Sequence, residues 1–215
     1  MPRLAPRKEP KQQRSAETRA RILDAAARVF ARHGYAAGTT NRIAEEATLS
    51  VGSLYQYFPN KDSILVELVR RHVAEGATHV AERLSAVAGR PLPERIAALV
   101  DAMVANHAGE PRLHQVLFEE APRPPELLAE LHALERDVVA AVAAALAADP
   151  TVDVPDPDLA AWVLVATVES LTHRYVSSHP DDLDPTAFAE EVTRMLVTYV
   201  GAGTFAPLAA FQEMQ

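Results

Sequence analysis

The chain has 215 residues, of which 48% are hydrophobic; this length holds one large domain or two small ones, with enough apolar material for a sizeable core. It contains no cysteine, which excludes disulfides and thiolate metal sites and fits a reducing compartment. The formal charge of −8 argues against nucleic acid, yet residues 1–61 hold eleven Lys/Arg against five Asp/Glu, so a basic head precedes an acidic body.

Residues 1–14 carry three prolines, five basic residues and little to bury. They read as a disordered basic arm that either lies along DNA phosphates, enters a minor groove or is inert. Ser15 is the expected N-cap of the first helix, with Glu17 in its first turn. Ile22, Ala26, Val29, Phe30 and His33 form the buried stripe, and Gly34 ends the helix.

The stretch 39–58 reads as two short helices joined by a tight turn. Thr39 caps the first, whose Ile43, Ala44 and Ala47 share a face. Ser50 caps the second, whose Val51, Leu54 and Phe58 recur at spacings of three and four. Between them lie Gly52, Ser53, Tyr55, Gln56 and Tyr57, a small, polar and aromatic face without charge. A solvated face would carry Lys and Glu. This one suits a DNA major groove, where small residues admit the helix backbone and hydroxyls and amides meet base edges and phosphates.

Pro59 stops that helix and Asn60 caps the next, which is predicted over about 61–85 with Ile64, Leu65, Leu68, Val69, His72 and Val73 inward. Further helices are expected near 92–107, 111–119, 125–148, 157–178 and 185–201, separated by proline-rich breaks. No strand pattern and no internal repeat is evident. The apolar runs 138–148 and 159–168 fall far short of the roughly 20 residues of a spanning helix, and no apolar signal core follows the charged N-terminus. A soluble cytoplasmic protein is expected.

The eight histidines are nowhere paired at i,i+3 or i,i+4, the spacing that lets one helix present two metal ligands. There is no nucleophile elbow, Gly-rich phosphate loop or HExxH motif, and the adjacent Glu119 and Glu120 diverge on a helix. No catalytic residue, metal or cofactor is expected, and an enzyme with a coincidental motif is the remote alternative. The run Leu159–Val168 is apolar all round and must be covered on both sides. A second subunit is the simplest cover, with the 185–201 helix completing the contact.

Residues 15–75 resemble the DNA-binding domain of TetR-family transcriptional repressors. The resemblance rests on Ile22-Leu23-Asp24-Ala25-Ala26, Phe30, Gly34-Tyr35, Thr39-Thr40, Ile43-Ala44, Ala47, Leu49-Ser50, Gly52-Ser53-Leu54-Tyr55, Tyr57-Phe58 and Asn60-Lys61. Its most specific part is Leu-Tyr-x-Tyr-Phe-x-Asn-Lys at 54–61, preceded by Thr-Thr. Thr48 stands at a turn position that is commonly Gly in the family. A β-branched residue is disfavoured at positive φ, so the turn is expected to depart slightly from the family's.

The resemblance implies an all-α protein: a three-helix helix-turn-helix head over 15–75 and a helical ligand-binding and dimerisation body over 76–215. It implies a ligand-responsive repressor that reads a palindromic operator as a homodimer through the helices at 157–178 and 185–201. It places Thr40, Asn41, Ser50, Val51, Gly52, Ser53, Tyr55, Tyr57 and Lys61 at DNA-contacting positions. Val51, Gly52, Ser53 and Tyr55 would face base edges; Thr40, Tyr57 and Lys61 would hold phosphates; Asn41 suits either. A small hydrophobic effector is implied as well. Met103, His107, Leu117, Phe118, Trp162, Glu169 and His173 are the candidate lining, because mainly apolar pockets with a few oriented polar groups take such ligands. A DNA-binding regulator without a small-molecule ligand is the alternative.

Overall fold

A computed structural model describes residues 11–108, 110–178 and 183–201. The elements are α1 (Lys11–Ala37), α2 (Thr40–Glu46), α3 (Val51–Tyr55), α4 (Lys61–Ala86), α5 (Leu92–Ala108), α6 (Pro111–Gln115), α7 (Pro125–Ala147), α8 (Pro157–Ser178) and α9 (Pro185–Gly201). A π-helical turn, Val116–Glu120, continues directly from α6. No strand occurs among the described residues, and none of their helices is long and apolar enough to cross a membrane.

The chain divides into two compact units, and the division is not a single cut. Residues up to 75 form the first unit together with the segment 110–127; residues 76–108 and those from 128 onward form the second. A single body over 76–215 is thus not what the contacts show. The segment 110–127, bounded by prolines, packs on α1 through α6 and the π turn.

In the first unit, Ile22, Ala25, Ala26, Val29 and Phe30 of α1 are buried, as are Ile43 and Ala44 of α2, Leu54 of α3 and Ile64, Leu65, Leu68 and Val69 of α4. The 3.6-residue period put all of these but Ala25 on their stripes, whereas His33, expected on the α1 stripe, is exposed. Burying a side chain such as Phe30 completely contributes roughly 3 kcal/mol. Helix α4 starts as expected: Asn60 Oδ1 accepts from the Ser63 N–H at 2.8 Å, and Ser63 Oγ donates to the Asn60 carbonyl at 2.7 Å.

Three boundaries differ from expectation. Helix α1 starts at Lys11, so Ser15 is inside the helix and not its N-cap, and residues 11–14 are helical rather than part of an arm. Lys, Gln and Arg are good helix formers, and extending an existing helix is easier than nucleating one. The rest of the predicted arm, 1–10, lies outside the described residues. Helix α3 ends at Tyr55, and the Tyr57 and Phe58 N–H groups close a turn on the Leu54 carbonyl. The helix predicted at 111–119 is α-helical only to Gln115 and widens into the π turn beyond it.

The second unit has a core of aligned stripes: Leu92, Ile96, Val100 and Val104 of α5; Ala160, Ala161, Leu164 and Val168 of α8; and Ala189, Val192, Leu196 and Val200 of α9. Ala143 and Leu146 of α7 complete it. Asp156 caps α8 by accepting from the Leu159 N–H at 3.1 Å, and Asp184 caps α9 by accepting from Ala187 at 2.9 Å.

Candidate nucleic-acid interface

The two short helices are set by their caps. Thr39 Oγ1 accepts from the Arg42 N–H at 3.4 Å at the start of α2. Ser50 Oγ accepts from the Ser53 N–H at 3.0 Å and lies 2.8 Å from Ser53 Oγ. The turn between them is a Schellman motif. The Leu49 N–H donates to the Ala44 carbonyl at 2.8 Å and the Thr48 N–H to the Glu45 carbonyl at 2.9 Å, with Thr48 at φ 55°. The expected departure of this turn is therefore absent: Thr48 adopts the left-handed conformation that glycine would take freely. The hydrogen bonds and the packing of Leu54 against α2 over-determine it.

The polar side chains of α2 and α3 meet at the surface. Thr40 Oγ1 lies 3.3 Å from the Tyr55 hydroxyl. Tyr55 is 49% exposed, and Asn41, Ser50, Gly52 and Gln56 are exposed beside it. A Cβ built on Gly52 would meet nothing nearer than Ser50 Oγ at 3.9 Å, so this part of α3 is open to close approach. Val51, Ser53 and Tyr57 are half-buried.

Lys61 is placed otherwise than a simple phosphate contact. Its Nζ donates to the Tyr35 carbonyl at 2.8 Å and reaches the Ala36 carbonyl at 3.5 Å, and it sits 3.9 Å over the Tyr35 ring. It therefore satisfies carbonyls at the end of α1. The Tyr35 hydroxyl donates to Asp62 at 2.5 Å, and burial together with that carboxylate pushes its pKa up to about 12.

Much of the head's positive charge is spent internally. Arg28 and Arg32 both bind Glu46, at 2.7 and 3.1 Å, and hold its carboxyl below the usual range. Arg19 pairs with Glu67 and Arg71 with Asp24, each at 2.6 Å. Arg42, exposed on α2 beside Thr40 and Asn41, has no ion pair among the described residues. Sequence reasoning missed it, although its place one residue after Asn41 at the start of a candidate DNA-facing helix was a usable signal.

The seven candidate ligand residues are divided between the two units. Leu117 and Phe118 belong to the first unit, where the Phe118 ring lies 4.6 Å from that of His114 and 5.6 Å from that of His72. Met103, His107 and His173 belong to the second; the His107 Nδ1–H donates to the Met103 carbonyl at 2.6 Å, and the rings of His107 and His173 are 4.8 Å apart. Trp162 is 53% exposed and Glu169 is exposed too, so two residues of the stripe expected to line a pocket face outward, while His173 is half-buried. Seven residues make almost two full turns, which puts Trp162 and Glu169 on one side of α8, while Ala161, Leu164 and Val168 take the core side. A cavity of about 350 Å³ in the second unit is lined by Pro91, Leu92, Pro93, Thr151, Val197 and Val200 among others, and by none of the seven.

A family model described as "Tetracyclin repressor-like, C-terminal domain" matches residues 91–199, and one described as "Bacterial regulatory proteins, tetR family" matches residues 22–68. The chain belongs to the TetR family. It is thus one of a family of regulatory proteins and not of enzymes. It is 32% identical over 103 residues to the HTH-type transcriptional repressor SCO4008 of Streptomyces coelicolor, a match covering 48% of this chain and 49% of that protein. The chain spans about half or less of the length of the curated relatives it matches. Among solved structures, NalD of Pseudomonas aeruginosa, the secondary repressor of the MexAB-OprM multidrug efflux pump, superposes with a TM-score of 0.70 at 21% identity, covering 89% of this chain and all of that one. FadR of Bacillus subtilis in complex with stearoyl-CoA does so with a TM-score of 0.65 at 22% identity, covering 84% of this chain and 98% of that one. At these identities the two neighbours show the TetR fold alone.

Proposed function

We propose that this TetR-family chain is a cytoplasmic transcriptional repressor that binds a palindromic operator in double-stranded DNA as a homodimer and is released by a small hydrophobic effector. The observation that carries the reading is the uncharged, close-approach face of α3, with Gly52 open and Tyr55, Ser53 and Val51 around it. In the major groove Val51, Gly52, Ser53 and Tyr55 meet base edges. Thr40, Tyr57, Arg42 and the remaining N–H of Lys61 meet phosphates, Asn41 serves either, and Ser50 holds the start of α3.

The outward faces of α8 and α9 support the homodimer. Leu159 and Trp162 on α8 and Met195 and Tyr199 on α9 are all exposed in the single chain, an apolar surface that a second copy would cover. Two heads on such a dimer read half-sites about one helical turn, roughly 34–36 Å, apart. The effector is supported by the stearoyl-CoA bound in the FadR neighbour and by the half-buried Met103 and His173 beside His107. The cavity at the start of α5 and the end of α9 touches none of the candidate lining, which counts against those residues as its walls and leaves the choice between an effector and the ligand-free rival to experiment.

Genomic fragments selected by the purified protein supply the operator, and Gly52→Ala supplies the test. Alanine adds helix propensity to α3, about 1 kcal/mol, and meets no neighbour, so the variant folds at least as well as the parent. Operator affinity is expected to fall tenfold or more. A Gly52→Ala variant that binds as tightly as wild type would refute the proposed recognition face. Hydrophobic compounds, long-chain acyl-CoA among them, are then titrated onto the protein–operator complex. Release by at least one supports the effector, and release by none supports the rival.

A further inference from the structure

Tyr35 is the point at which three elements of the head are tied together. Its carbonyl accepts from Lys61 at the start of α4, its hydroxyl donates to Asp62, and its ring lies under the Lys61 ammonium. Four residues on is Thr39, the cap of α2. The recognition helix α3 lies between α2 and α4 in the chain, so both of its flanks are referred to Tyr35. The backbone at this point is unusual. Gly34 has φ 71° and ψ 175°, a conformation nearly confined to glycine, and it breaks α1. A broken helix end leaves N–H and C=O groups that need partners.

The partner of the Tyr35 N–H comes from 85 residues further along the chain. Glu120 Oε2 accepts from it at 2.9 Å. Glu120 is the last residue of the π turn, and Arg112 of α6 holds its other oxygen at 2.6 Å. The fit is close: a Cβ on Gly34 would lie 2.9 Å from Glu120 Oε2 and 3.0 Å from Arg112 Nη2. The π turn sets where this carboxylate lands, since a purely α-helical register would rotate residue 120 away from that position. Glu120 lies outside residues 22–68, the stretch matched as the DNA-binding part.

We infer that Glu120 is a positioning residue for DNA binding: its carboxylate, steadied by Arg112, fixes the Gly34–Tyr35 break and through Tyr35 the setting of α2 and α3. The inference rests on the reading of α3 as the recognition helix. It makes a prediction of unexpected sign. Removing an acidic group from a DNA-binding unit ordinarily strengthens binding, because it removes a repulsion from phosphate. Removing Glu120 is expected to weaken it.

The test compares wild type with Glu120→Ala, Glu120→Gln and Arg112→Gln in the full chain, well below their unfolding temperatures. Amide exchange of Tyr35 is followed by NMR, and affinity is measured for the selected operator and for unrelated duplex DNA over a range of salt. Glu120→Ala should speed Tyr35 exchange at least tenfold and lower operator affinity about tenfold, with affinity for unrelated DNA unchanged or raised. The salt slope should hold, since no phosphate contact is lost. Glu120→Gln keeps an acceptor for the Tyr35 N–H and should recover much of both losses. Arg112→Gln should weaken the operator complex less, and its effect should not add to that of Glu120→Ala. Faster Tyr35 exchange with unchanged or tighter operator binding would overturn the inference while leaving the repressor reading intact. If even wild type shows no preference for any duplex, the repressor reading fails instead and the inference falls with it.

Discussion

Thr48 holds a left-handed backbone conformation, φ 55°, at the turn between α2 and α3. That conformation costs a residue with a Cβ roughly 1–2 kcal/mol, and β-branching adds crowding. Thr48→Gly removes the strain but gives the unfolded chain more freedom, which offsets roughly 0.5–1 kcal/mol. A net gain of about 0.5–1 kcal/mol is expected, read as a higher urea midpoint at unchanged slope. Operator affinity should hold, because the turn already has its glycine-like geometry. A lower midpoint would mean that the Thr48 side chain contributes contacts outweighing its strain. The identity of the residue at this turn was readable in the sequence; its conformation was not. The sequence expectation assumed that threonine's local preference would bend the turn. Two backbone hydrogen bonds and the buried Ala44, Ala47 and Leu54 around it prevailed.

At the scale of elements, α8 shows where periodicity runs out. A helix apolar on all sides does not say which side faces its own core. The structure turns Ala160, Ala161, Leu164 and Val168 inward and leaves Leu159 at 57% and Trp162 at 53% exposed. The small inward residues allow α8 to approach its neighbours closely, and the large outward ones are what a partner would cover. On the proposed dimer, Trp162→Glu therefore separates assembly from folding. The substituted side chain is exposed in the single chain, so helicity and the thermal midpoint of the monomer should change little. Sedimentation should show the dimer of the parent replaced by monomer at micromolar concentration, with operator affinity lost alongside. A variant that stays dimeric would move the interface away from this face. Because Trp162 is the only tryptophan, its emission in the parent should shift with dimerisation rather than with occupancy of a pocket.

For the molecule as a whole, pH offers a check on the second unit. Burial pulls the pKa of His107 below its ordinary 6.5, and the hydrogen bond to the Met103 carbonyl only partly opposes this. The unfolded chain takes up a proton near pH 6.5, while the folded one resists until lower pH. Between those two values the unfolded state binds more protons, so stability rises with pH across the window. The contribution is complete above about pH 6.5 and is lost as pH falls through the folded pKa. The thermal midpoint should thus decline on acidification below pH 6.5, and His107→Gln should flatten that part of the profile. An equally steep decline in the variant would assign the dependence to other groups.

Local chemistry was legible in the sequence alone. The caps at Thr39, Ser50 and Asn60, most of the helix stripes and the all-α class depend on neighbours within a few residues, and propensity and periodicity report on such distances directly. The uncharged face of α3 could be read for the same reason, because a five-residue helix shows its faces in its own sequence. What only the tertiary structure decided involves partners far apart in the chain. The ammonium of Lys61 rests on carbonyls 25 and 26 residues away, Trp162 turns outward, the segment 110–127 joins the head, and Glu120 reaches the Tyr35 N–H across 85 residues. No local propensity encodes these choices, because each is settled by which competing surface or hydrogen-bond partner the folded chain brings within a few ångströms.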